Sequence, residues 1–114
     1  MDDCIFCRIT ERKIPAKIVY EDAAAVAIED LHPQAPTHLL VMPRKHIASL
    51  TDVSPEDEIL VGRLFAIAAQ LARKRGLDSN GYRTVVNNGP WGGQTVFHLH
   101  VHLMGGRVFH WPPG

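Results

Sequence analysis

Residues 97–103 read Phe97-His98-Leu99-His100-Val101-His102-Leu103, a strict alternation of apolar and polar side chains. Because an extended chain turns successive side chains to opposite faces, the run predicts a strand with its histidines on one face and its apolar residues on the other. Neighbouring histidines would then stand about 7 Å apart. Three readings fit such a face: an edge strand using histidine as its polar partner, a metal site built from the three imidazoles, and nucleophilic catalysis. Imidazole suits both of the last two, as a common zinc ligand and as a neutral base near physiological pH. Histidine is uncommon enough that three in register point to chemistry, and nucleophilic catalysis is the favoured reading.

Charge narrows the choice of partner. Twelve Lys and Arg stand against twelve Asp and Glu, so there is no basic stripe to displace the counterions of a nucleic-acid polymer, while a small anion at one local site is permitted. A chain of 114 residues, 46% hydrophobic and 21% charged, suits one globular domain spanning 1–114. No run approaches the roughly 18 apolar residues of a membrane span, and Met1-Asp2-Asp3 does not open a secretory signal. These features predict a cytoplasmic protein that does not engage a membrane.

Along the chain, 18–20 and 24–28 read as short strands around Glu21-Asp22, and 37–42 as a third closed by Pro43, with His38 inside it. The clearest helix opens at Ser54-Pro55-Glu56-Asp57, with a capping serine, a proline suited to the first turn and two acids at the positive end. Leu60, Leu64, Ile67, Ala68 and Leu71 form its apolar stripe, Arg73, Lys74 and Arg75 fill its last turn, and Gly76 can take the left-handed stop. Strands at 82–86 and 95–103 follow. Strands flanking one long helix without regular βαβ alternation predict an α+β fold with a mainly antiparallel sheet covered by that helix.

Two further segments carry candidate chemistry. Asn87-Asn88-Gly89-Pro90-Trp91-Gly92-Gly93-Gln94-Thr95 offers glycines, amides and a hydroxyl, so backbone N–H groups could approach an anion beside the histidine face. Cys4 and Cys7 lie three apart, a spacing that serves a metal half-site, a redox pair or mere packing. In a chain without a secretion signal, a structural disulfide is the least favoured of these uses.

The run Gly92-Gly93-Gln94-Thr95-Val96-Phe97-His98-Leu99-His100-Val101-His102, followed by Leu103-Met104, resembles the H-x-H-x-H motif of the histidine triad (HIT) family. Ala35-Pro36-Thr37-His38, Gly105-Gly106-Arg107 and the terminal Trp111-Pro112-Pro113-Gly114 resemble its Hint branch, the purine nucleoside phosphoramidases, and the likeness runs from about Ile5 to the last residue. It implies a homodimer in which each subunit has a five-stranded antiparallel sheet, the two sheets joining into one. By similarity His100 is the nucleophile and His102 contacts the phosphate. Asn87, Gly93, Gln94 and Thr95 surround that phosphate, and Asp30 binds the ribose. Ile28, Leu31, Phe6 and Ile9 line the base pocket, His38 orients the groups around the nucleophile, and Trp111 reaches towards the partner's site. The resemblance also completes Cys4 and Cys7 with His46 and His98 as a structural zinc site. Pro90-Trp91 departs from the family's usual loop, and His32 and His110 receive no role.

The implied reaction is hydrolysis of a purine nucleoside 5'-phosphoramidate, an AMP-type ligand, through a nucleotidyl-histidine to the nucleoside monophosphate. A neutral imidazole attacks phosphorus if its other nitrogen donates to a carbonyl, His102 or His38 could protonate the leaving amine, and N–H groups can meet the phosphoryl charge without a catalytic metal. Two rivals remain: a dinucleoside polyphosphate hydrolase of the same superfamily, and a non-catalytic, zinc-stabilised module that binds nucleotide or protein.

Overall fold

A computed structural model describes residues 3–114. In chain order it contains α1 (Ile5–Thr10), β1 (Ile18–Glu21), β2 (Ala25–Glu29), β3 (Thr37–Pro43), α2 (Glu58–Lys74), β4 (Tyr82–Val85) and β5 (Val101–Gly105). Short 3-10 turns lie at Leu50–Asp52, Pro55–Asp57 and Pro90–Gly92. The strands form one antiparallel sheet ordered β1-β2-β3-β5-β4. The α+β class, the five strands and the long helix agree with the sequence reading.

Alternation along the strands sorts the two faces. Ala25, Ala27, Leu39, Val41, Val101 and Leu103 join Leu64, Ile67, Ala68, Leu71 and Ala72 of α2 in one core. Their neighbours Val26, Ile28, Leu40 and Met42 pack with Phe6 and Ile9 of α1 on the opposite face. His102 is paired with Leu40 across β3 and β5, so it shares the α1 face. The functional face of the sheet is therefore the one that α2 leaves open.

Two local expectations need correction, and a third element was not expected. The helix signal at Ser54 begins a 3-10 turn, and regular helix starts only at Glu58, because the Ser54 hydroxyl donates to the Asp57 carboxylate at 3.1 Å instead of accepting a backbone N–H. The strand expected over 95–103 begins at Val101. Upstream of Val101 the chain leaves the ladder, because Gln94 ties the loop to Ala48 and Leu99 N–H bonds instead to the Ile47 carbonyl at 2.7 Å. The third is α1, which the sequence reading did not include. Its six residues are too few for a periodic signal, and it starts where the Cys4 sulfur accepts the Cys7 N–H at 3.3 Å.

Candidate active site and metal-ligating group

His100 lies just before β5, 8% exposed, with its Nδ1 2.7 Å from the His98 carbonyl oxygen. A carbonyl only accepts, so Nδ1 carries the hydrogen and Nε2 keeps a free lone pair. The Phe6 ring meets the His100 imidazole edge-on at 5.1 Å and 89°. Burial holds the His100 imidazolium below the ordinary histidine range, opposed by the His98 carbonyl and the Asp30 charge. The residue is thus a neutral base with a defined tautomer.

On one side stands a chain of hydrogen bonds. The Gln34 N–H donates to His38 Nδ1 at 3.0 Å, which leaves the hydrogen of neutral His38 on Nε2. That Nε2–H lies 2.9 Å from His102 Nδ1, so His102 carries its own hydrogen on Nε2. An Asp30 carboxylate oxygen lies 3.4 Å from His38 Nε2, and the other accepts the His32 N–H at 2.8 Å. Burial lowers His38 despite Asp30. His102 is pushed down to about 4, first by burial and then by His100 and His38, with Asp30 opposing.

On the other side the donor atoms of Cys4, Cys7, His46 and His98 lie within 4.8 Å of one another. His98, fully buried, donates Nε2–H to the Pro43 carbonyl at 2.7 Å, which leaves its Nδ1 lone pair facing the Cys4 and Cys7 sulfurs at 3.3 and 3.5 Å. His46 Nδ1 is 3.4 Å from Cys7 Sγ. Tetrahedral zinc with ligands at about 2.0–2.3 Å sets nitrogen and sulfur about 3.5 Å apart, so the donor set fits such an ion. Burial, together with the hydrogen-bonded Cys4 thiol, pushes the Cys7 thiol up to about 11, and burial holds His98 low. A bound cation would reverse the pressure on the thiols.

Asn87, Gly93, Gln94 and Thr95 are gathered around the turn at Pro90–Gly92. Gly93 has φ +85° and Gly89 φ +75°, a region that disfavours side chains, and the Asn87 amide donates to the Gly92 carbonyl at 2.6 Å. Gln94 is buried and fully engaged: its oxygen accepts Gly89 N–H, and its amide donates to the carbonyls of Ala48 and Val96. Gly93 N–H is also taken, by Pro90. Thr95 is exposed, and its N–H and hydroxyl have no partner among the described residues. Phe6, Ile9 and Ile28 meet in one buried cluster, whereas Leu31 is 89% exposed. Trp91 and Trp111 are also exposed.

Sequence reasoning missed Gln34, Pro43 and Ala48, and gave no role of its own to the loop residue Asn88, whose side chain accepts two hydrogen bonds from Thr51. The first three act through backbone groups, which leave no residue-type signal.

A model of the HIT domain family matches residues 11–109. An uncharacterized HIT-like protein of Synechococcus elongatus is 51% identical, covering 99% of this chain and 98% of the relative. The crystal structure of a HIT family hydrolase from Legionella pneumophila superposes with a TM-score of 0.96 at 48% identity, covering 98% of this chain and all of that one. A Zn-bound histidine triad family protein from Mycobacterium smegmatis has a TM-score of 0.79 at 34% identity, covering 93% of this chain and 76% of the other.

Proposed function

Since the chain belongs to the HIT domain family, we propose that it is a nucleotide hydrolase that cleaves the P–N bond of purine nucleoside 5'-phosphoramidates. The observation that carries this reading is the 2.7 Å bond from His100 Nδ1–H to the His98 carbonyl, which leaves Nε2 as a buried, unprotonated nucleophile. Nε2 attacks the phosphorus, the amine departs, and water hydrolyses the nucleotidyl-histidine to the nucleoside monophosphate. The relative described as a HIT family hydrolase supports the reaction class.

His102 offers its Nε2–H to a phosphoryl oxygen. With the Gln34 N–H seated on His38 Nδ1, a further proton on the His38–His102 pair would break either that bond or the one between the two rings, so His102 acts as a neutral donor and His38 fixes its tautomer. The departing amine then draws its proton from a water molecule, in place of the protonation by His102 or His38 that the sequence suggests, and the hydroxide left cleaves the nucleotidyl-histidine. Thr95, with its free N–H and hydroxyl, joins His102 at the phosphate, while Gln94 holds the loop in shape. Asp30 takes the ribose hydroxyls, and Phe6, Ile9 and Ile28 form the base wall, with Leu31 closing over it from solvent.

Zinc is the ion assigned to Cys4, Cys7, His46 and His98. Four protein ligands leave no open position, so its contribution is structural. The same reading includes a homodimer. β4 is an open sheet edge, and Tyr82, Val108 and Trp111 are exposed near it. Pairing two β4 edges would join the sheets and let Trp111 approach the partner's site.

The test is a mass spectrum of protein quenched during turnover of adenosine 5'-phosphoramidate. An AMP adduct on the peptide carrying His100 is expected. Turnover without any adduct there, under conditions that trap one on a known nucleotidyl-histidine, would overturn the assignment.

A further inference from the structure

We propose that the Cys4, Cys7, His46 and His98 group is the positioning device of the nucleophile, acting through the His98 carbonyl and the Phe6 ring. This rests on the reading of His100 as nucleophile and of the group as a metal site, and it adds a route from one to the other. The regular strand begins only at Val101, so His98 and His100 stand outside the sheet's hydrogen-bond ladder. Leu99 anchors this stretch in the α2 core, and among the described residues its polar ties are the His98 ring, fixed between the Pro43 carbonyl and the two sulfurs, and the Leu99 N–H bond to Ile47. The carbonyl that selects the His100 tautomer belongs to that same His98.

A second contact runs through α1. Cys4 and Cys7 bracket Phe6, whose ring packs edge-on against both His98 at 5.9 Å and His100 at 5.1 Å. Six residues do not make a helix that persists alone. Phe6 and Ile9 pack α1 into the second apolar cluster and Arg44 donates to the Thr10 carbonyl at 2.8 Å, but sulfur is a weak hydrogen-bond partner, so thiols near imidazoles fix the Cys4–Cys7 end of α1 poorly compared with thiolates on an ion. A metal in this group therefore fixes the His98 carbonyl beneath His100 and Phe6 against its edge, while taking no part in the chemistry. His98 and Phe6 are positioning residues.

The experiment compares zinc-loaded and chelator-treated wild-type protein by long-range proton–nitrogen spectra of the histidine rings, alongside single-turnover rates. With zinc, His100 should show only the Nδ1–H tautomer. Without it, both tautomers should appear, and the single-turnover rate at saturating substrate should fall by about a hundredfold, as for a misplaced reacting group. An unchanged His100 tautomer in chelated protein that is still folded by circular dichroism would overturn the proposal. Should chelation unfold the chain, Phe6→Leu decides: it keeps all four ligands, so zinc content should hold while the second His100 tautomer appears, and a spectrum showing only the Nδ1–H tautomer in that variant would be equally fatal. The tautomer spectra need no substrate. If wild-type protein fails to turn over phosphoramidates, the proposed function falls while the positioning inference is still decided.

Discussion

Two clusters of titratable side chains flank His100, and similar parts are wired for opposite uses. Both bring potential ligand atoms within 4.8 Å of one another: Cys4, Cys7, His46 and His98 on one side, Asp30, His38 and His102 on the other. In the first, the Pro43 carbonyl takes the hydrogen of His98, so a lone pair faces the sulfurs. In the second, the Gln34 N–H occupies the lone pair of His38, so a hydrogen sits where an ion would need a donor electron pair. One backbone group behind each ring separates metal ligand from hydrogen-bond relay. Histidine content alone would not have told them apart.

The sharpest way to break this division is at the residue between the clusters. Replacing His100 by alanine should lower turnover by about four orders of magnitude or more, because a lost nucleophile has no substitute. Nucleoside monophosphate binding should stay near wild type by calorimetry. Activity within tenfold of wild type would show that neither cluster serves His100.

The next largest effects should part the clusters by kind. The Cys4→Ser, Cys7→Ser double variant should lose zinc and several kcal/mol of stability, since the energy of binding an assembled site is folding energy. His102→Ala should leave the melting temperature near wild type yet cost about a hundred- to a thousandfold in kcat, the usual scale for one lost donor to a developing oxyanion. Thermal melts and kcat measured on both variants check the pair. A relay variant that melts like the cysteine variant, or a cysteine variant that keeps full stability, would merge the two clusters into one.

The sequence made the sheet and α2 legible because their signals are long or periodic: the strand cores at 18–20, 37–42 and 82–85, and the stripe from Leu64 to Leu71. The alternation around His98 misled about local structure, because it continues unbroken through a stretch whose backbone bonds go elsewhere. It still put His100 and His102 on adjoining ground, with ring centres 5.0 Å apart. Gln94 shows the other limit. Its residue type suggests an anion ligand, whereas its amide is consumed by Ala48, Val96 and Gly89, a fact that depends on where distant chain segments fall.

Acid should weaken the relay in a defined direction. Folded His102 is held to about 4, whereas an unfolded histidine titrates near 6.5. Between those values the unfolded chain binds more protons, so stability is full above the upper value and falls as pH is lowered towards the lower one. The loss from this group approaches about 3 kcal/mol at pH 4. Urea titrations at pH 7 and pH 4, run in the Cys4→Ser, Cys7→Ser background to remove acid release of zinc, should show a smaller decline for His102→Gln. Equal declines would mean that His102 is protonated as easily folded as unfolded.

The smallest effect tests whether Asp30 belongs to the relay or to the ligand. One of its oxygens holds the turn through His32 N–H and the other lies 3.4 Å from His38 Nε2, so alanine would confound turn, relay and ribose contact. Asp30→Asn keeps an oxygen for the turn and removes the charge. If Asp30 accepts ribose hydroxyls, the loss is that of charge-assisted hydrogen bonds, about 1.5–3 kcal/mol, which appears as a KM raised roughly ten- to a hundredfold with kcat little changed. If it acts through His38, the substitution leaves KM alone and lowers kcat, because the ring that fixes His102 loses its neighbouring charge. A 2'-deoxy substrate separates the cases further. Its penalty relative to the ribose substrate should shrink in Asp30→Asn under the ligand assignment, and an undiminished penalty would move Asp30 into the relay.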